Sequence, residues 1–187
     1  MGSNAIISRR QFILISSLGI GSLLIPIPSC QHKKTNYLTA EEINILNGVL
    51  DVLFPDDGFG PSHKDFNATQ YILNVLNDPF YDGETKIFII DGIQDINSIA
   101  KSLFSKDLSS LSYKHKQKVI EHAIEKEGKF ERWISLIITL IIEALLSDPI
   151  YGGNTNEVGW KWLNHYIGIP RPDKDTSYKQ LYPWQIQ

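Results

Sequence analysis

Residues 130–146 read FERWISLIITLIIEALL, and how this stretch folds decides the architecture. It is apolar on nearly every face and closes on Asp148-Pro149. A membrane-spanning helix needs roughly 20 such residues, and this run falls short. Its β-branched residues permit a strand over 134–142. Its length and the charged residues at its start favour a helix. We read it as the central core helix, with the other elements gathered around it.

Working back from it, Gly128 closes a helix expected over Tyr113–Lys126, with Ser112 as its cap and Val119, Ile120, Ala123 and Ile124 turned inward. DLSSLS reads as a loop. A longer helix is expected from Thr85 to Phe104, burying Ile89, Ile93, Ile96, Ala100, Leu103 and Phe104. A short one is expected over Ala68–Leu76. PDDGFGPS, 55–62, is turn chemistry throughout. The first helix of the domain has the clearest start: Thr39 followed by Glu42 is a capping box. Its apolar residues Ile43, Leu46, Leu50, Leu53 and Phe54 fall at helical spacing, and Pro55 stops it. Past the core helix, IYGGNTNE is a loop leading to a short helix over Val158–Tyr166, and the tail from Gly168 has no period. The reading is all-α: a single compact helical domain, 39–187, with an irregular C-terminal tail and a signal segment ahead of it.

That segment opens with Arg9-Arg10-Gln11-Phe12 before the apolar run FILISSLGIGSLLIPIP. Paired arginines ahead of such a run look like a twin-arginine export signal, with Arg9, Arg10 and Phe12 as its key residues. The run is short, interrupted by Gly and Ser and ended by prolines, so a cleavable or tethered signal fits better than a permanent span. IPSC, 27–30, resembles a lipobox, and Cys30 is the sole cysteine of the chain. Either Cys30 is lipidated and becomes the mature N-terminus, or it is an incidental thiol. The expected organisation is a signal over 1–29, a polar tether over 30–38 and the helical domain beyond.

Without Arg9 and Arg10 the remaining 158 residues carry 16 basic and 21 acidic groups, a net charge of −5. Such a balance argues against a nucleic-acid partner, which would want a basic surface. A single cysteine excludes an internal disulfide, C-x-x-C-H haem attachment and cysteine-ligated clusters.

Candidate chemistry is sparse. His115 and His122 share a helix face, but at 1.5 Å rise per residue they stand about 10 Å apart along it, too far for one metal ion. His32, His63 and His165 are isolated in sequence. Glu143, inside the apolar helix, either faces the helix rim or pairs with a basic residue, or else is a buried acid with a raised pKa. Gly152-Gly153 lacks the G-x-G-x-x-G or G-K-S/T of a phosphate cradle. No catalytic, cofactor or metal constellation is expected. Trp160 and Trp162 stand two apart, so they face different ways. One can plug the core while the other anchors an interface.

DPIYGGN, then GWKWL and GIPRP, resemble the gluconate 2-dehydrogenase subunit 3 family, supported by LTAEE and FPDDGFGP in the matching order. This resemblance implies a non-catalytic small subunit without a cofactor of its own. Its implied partners are a large FAD-containing subunit of the glucose–methanol–choline type, acting on a sugar, sugar acid or polyol, and often a cytochrome c subunit carrying haem c. The small subunit would assist folding and export of the large one through the twin-arginine translocase. The positions that match the motif are Asp148, Pro149, Tyr151, Gly152, Gly153, Asn154, Gly159, Trp160 and Lys161. With Trp162 they form the expected partner interface or structural motif. With the signal and Cys30, the expected location is the periplasmic side of a bacterial membrane, reached folded and held by a lipid anchor. The alternative is a stand-alone periplasmic or surface lipoprotein with an unknown partner.

Overall fold

Thr39 starts the domain's first helix, α1 (Ala40–Leu53), as its sequence anticipates. Its hydroxyl accepts from the Glu42 amide at 3.2 Å, and the Glu42 carboxylate accepts from the Thr39 amide at 2.9 Å. Two of the helix's orphan donors are thereby satisfied by its own first turn. In this computed structural model the described residues are 37–125, 128–165, 171 and 173. Arg9, Arg10, Phe12, Cys30 and His32 lie outside them, as does all of the tail except Arg171 and Asp173.

After the 55–67 turn comes α2 (Ala68–Asn77). Next is α3 (Gly83–Phe104), started by Asp82, whose carboxylate accepts from the Thr85 amide at 2.8 Å. DLSS is not an open loop: Leu108–Ser110 form a 3-10 turn. Asn97 imposes it from inside α3, accepting the Leu108 amide at 2.9 Å and donating to Asp107 at 2.7 Å. α4 (Tyr113–Glu125) and α5 (Lys129–Leu146) follow. Two further 3-10 turns, Pro149–Tyr151 and Thr155–Glu157, lead to α6 (Val158–Trp162). The described residues contain no strand.

Helix α5 packs against α2, α3, α4 and α6, while α1 packs against α3, α4 and the 3-10 turn at Leu108. Trp133, Ile137, Leu140, Ile141 and Ala144 of α5 are buried in one continuous core with Leu46 and Leu50 of α1, Ile72 of α2 and Ile93 of α3. Each fully buried aliphatic side chain contributes about 1.5–3 kcal/mol.

Four local expectations are corrected. The 130–146 stretch is a helix, but only one face of it meets the core. Ile138, Ile142 and Leu146, four residues apart, form an exposed stripe on the other. Ile124 and Leu103 are 44% and 42% exposed: α4 and α3 each end near them, and none of the described elements buries them. The last helix stops at Trp162, and Asn164 adopts a positive φ that ends it before the expected Tyr166. No described helix is long and apolar enough to cross a membrane.

Candidate docking surface

Ser147 ends α5, and the chain must then turn back along it. Asp148 starts the turn, its carboxylate accepting the Ile150 amide at 3.0 Å with Pro149 at the first helical position. The Tyr151 carbonyl accepts from Asn74 of α2 at 3.0 Å. Gly152 has φ +95, and a β-carbon there would overlap the Asn74 amide. Gly153 passes so close to α5 that a side chain would strike the Ala144 carbonyl. The two glycines let the loop lie flat on α2 and α5.

Asn154 locks this loop. It is wholly buried, with φ 46. Its amide donates to the Ser147 carbonyl at 3.0 Å, and its oxygen accepts the Gly159 amide at 2.8 Å. One side chain thus joins the end of α5 to the start of α6. Trp160 is buried as well, its indole N–H donating to the Leu146 carbonyl at 2.8 Å. Lys161 points outward and donates to the Asn156 carbonyl at 2.7 Å. Arg171 closes the arrangement from the far end of the motif. Its guanidinium bonds Asp148 at 3.2 Å and Glu157 at 2.7 Å, and sits 5.3 Å over the Trp160 ring. Within the motif, then, Asn154 and Trp160 hold the structure together, and Arg171 braces it.

Of the two tryptophans, Trp162 is the one at the surface, 47% exposed. Its indole lies over Gly60, where a β-carbon would come within 2.7 Å of the ring. Its N–H donates to the Phe59 carbonyl at 3.1 Å. The turn FPDDGFGP and the motif GWKW, far apart in sequence, therefore meet. Between them lies an open cleft of about 660 Å³, lined by Gly60, Pro61, Asp65, Thr155, Asn156 and Trp162. Phe59 stands beside it, 87% exposed.

Behind the turn is a charge cluster that sequence spacing missed. Asp51 of α1 meets the His63 ring at 3.0 Å, the Lys64 ammonium at 2.8 Å and the Lys116 ammonium of α4 at 2.9 Å. Burial pushes the Asp51 carboxyl up, but Lys64, His63 and Lys116 together overcome this and hold it well below the usual carboxylate range. His63 is almost wholly buried, and burial lowers its pKa despite the opposing pull of Asp51. Its Nε2 lies within hydrogen-bond distance of Asp51, and among the described residues its buried Nδ1 has no partner. The cluster ties the turn to α1 and α4. The only signal for it in the sequence was a histidine and a lysine directly after the turn.

The remaining candidates are more ordinary. Glu143 is exposed at the helix rim, where it accepts from the Tyr71 hydroxyl at 3.2 Å rather than from a base. Burial, then the Glu143 charge, push the Tyr71 phenol up. His115 stacks on Phe104 with ring centroids 4.5 Å apart. Among the described residues no group of three or more His, Cys, Asp or Glu is placed to hold a metal ion.

A sequence model of the family described as gluconate 2-dehydrogenase subunit 3 matches residues 40–168, from the first residue of α1 through the motif loop and α6. No curated protein and no solved structure matches the chain.

Proposed function

Since the chain belongs to the gluconate 2-dehydrogenase subunit 3 family, we propose that it is the small, non-catalytic subunit of an FAD-dependent dehydrogenase acting on a sugar, sugar acid or polyol. It binds a large flavin subunit of the glucose–methanol–choline type and assists its folding and export, in a complex that in this family often includes a cytochrome c subunit. The observation that carries this reading is the family match itself, which spans every described helix. The build of the motif loop supports it: the loop's polar groups are used to fix a surface, with Trp162 and Phe59 displayed on it.

Export and anchoring rest on the sequence alone. Arg9, Arg10 and Phe12 would direct the folded complex to the twin-arginine translocase, and Cys30 would carry the lipid that holds it on the periplasmic side of the membrane.

The test is purification of the tagged full chain from its own host. A flavoprotein with sugar or polyol dehydrogenase activity is expected with it in fixed stoichiometry. Recovery of the chain without any flavoprotein overturns the accessory role and leaves the stand-alone lipoprotein. Arg9→Lys with Arg10→Lys should strand the flavin subunit in the cytoplasm, and Cys30→Ala should release the complex from membranes. Normal periplasmic flavin in the first variant rules out the escort role.

A further inference from the structure

We propose that Phe59 is the anchor by which this subunit docks, entering an apolar pocket with a basic rim on the flavin subunit; this rests on the accessory-subunit reading above. Single exposed apolar residues are common on protein surfaces and need no explanation. Phe59 differs in how it is held. Its N–H donates to the Asp57 carboxylate at 3.0 Å, and its carbonyl accepts from the Trp162 indole at 3.1 Å. Gly58 beside it takes φ +79, and Gly60 leaves room for the indole to lie flat beneath the turn. Both peptide groups of the residue are thus fixed while its ring, 87% exposed, packs on almost nothing. A ring serving the fold would be covered, and a turn serving only as a connection would have no use for a tryptophan as its brace. A fixed aromatic group loses little conformational freedom on binding, which is what an interface anchor requires.

Charge identifies the rim of the pocket. Between Pro55 and Asp65 the chain carries three aspartates and one lysine. That lysine, Lys64, is already paired with Asp51. Asp56, Asp57 and Asp65 are exposed in the same turn, Asp57 bonded to the Phe59 amide and Asp65 to Ser62. A complementary site is apolar at its centre with Arg or Lys around it, an arrangement that fixes orientation and speeds encounter.

The test uses the tagged full chain expressed with its flavin subunit, reading flavin recovered per tagged chain. Phe59→Asp should lower recovery at least tenfold with an unchanged melting temperature, because the ring contributes nothing to the core. Asp56→Lys should lower it severalfold, and moderate salt should weaken the wild-type complex. Ile87→Asp, at a position 60% exposed on α3, should leave recovery unchanged. Wild-type recovery from Phe59→Asp overturns the anchor, and wild-type recovery from Asp56→Lys overturns the basic rim. If the wild-type chain itself brings no flavoprotein, the accessory reading falls and the anchor falls with it. A loss caused by Ile87→Asp as large as that of Phe59→Asp also overturns the anchor, since any surface charge would then do the same.

Discussion

The indole of Trp133 occupies the space that a β-carbon on Gly92 would need. Its N–H donates to the Ile89 carbonyl at 3.1 Å, one turn back along α3. The contact sets how closely α5 approaches α3, and it gives a sharp test of sign. By helix propensity alone, Gly92→Ala should stabilise the protein by about 1 kcal/mol. With the indole in place, the same substitution should instead cost about 1–3 kcal/mol net, as overpacking does. Urea unfolding followed by tryptophan fluorescence distinguishes the two.

Asn154 gives a second prediction. Asn154→Ala removes both bonds of a wholly buried side chain, leaving the Ser147 carbonyl and the Gly159 amide without their partner. The expected cost is about 2–4 kcal/mol. Asn154→Gly loses the same bonds but accepts the positive φ, so it should be milder by about 1 kcal/mol. Equal effects in chemical denaturation would show that backbone conformation contributes nothing at this site.

Two adjacent isoleucines test the orientation of α5. Ile141 is 1% exposed and Ile142 is 46% exposed. Ile141→Ser should cost about 3 kcal/mol through a lost core contact and a buried hydroxyl. Ile142→Ser should lie within about 0.5 kcal/mol of wild type. Melting temperatures of the two variants suffice to check this.

The Asp51–His63 cluster predicts acid sensitivity. Burial depresses the His63 pKa below the ordinary 6.5, so the unfolded chain takes up its proton first as pH falls. Its contribution is complete above about pH 7 and is lost as pH drops below the unfolded value. Asp51 is depressed from 3.8, so its contribution is complete above that value and lost below it. Both act in the same direction. Stability should decline in two stages on acidification, first below about pH 6.5 and then below about pH 4. Asp51→Asn should shrink the second stage without abolishing it, because Glu42, Asp65, Asp82 and Asp107 are held below their ordinary values as well. The substitution should also cost about 1–2 kcal/mol at neutral pH, since it leaves the half-buried Lys116 without its counter-charge. Denaturant midpoints from pH 8 to pH 3 give the whole profile.

Much of the helical layout could be read directly from the chain. The capping box at Thr39, the stops at Pro55 and Asp148-Pro149 and the spacing of aliphatic residues all act within one or two turns of backbone. Each helix was therefore expected within a few residues of where it lies. The errors in burial share one cause. Leu103, Ile124, Ile138 and Ile142 are apolar residues at helical spacing that no described element covers, and periodicity reports that a face is apolar without reporting whether a neighbour packs on it. The 3-10 turn at Leu108 was missed because Asn97, which orders it, belongs to another helix.

For the candidate surface the division is similar. The motif DPIYGGN…GWKW marked the right loop, and Gly152, Gly153 and Asn154 are residue types that tolerate the backbone it needs. Sequence alone could assign neither tryptophan to the core. That assignment follows from the packing of α6 on the end of α5, where the Trp160 indole donates to the Leu146 carbonyl and the Trp162 indole to the Phe59 carbonyl. The meeting of Asp51, His63 and Lys116, and of Phe59 with Trp162, depends in the same way on how separate elements pack. Local chemistry determined the helices and their ends. Only the tertiary structure decided which residues meet, because contacts between distant segments are set by packing geometry that no spacing along one segment encodes.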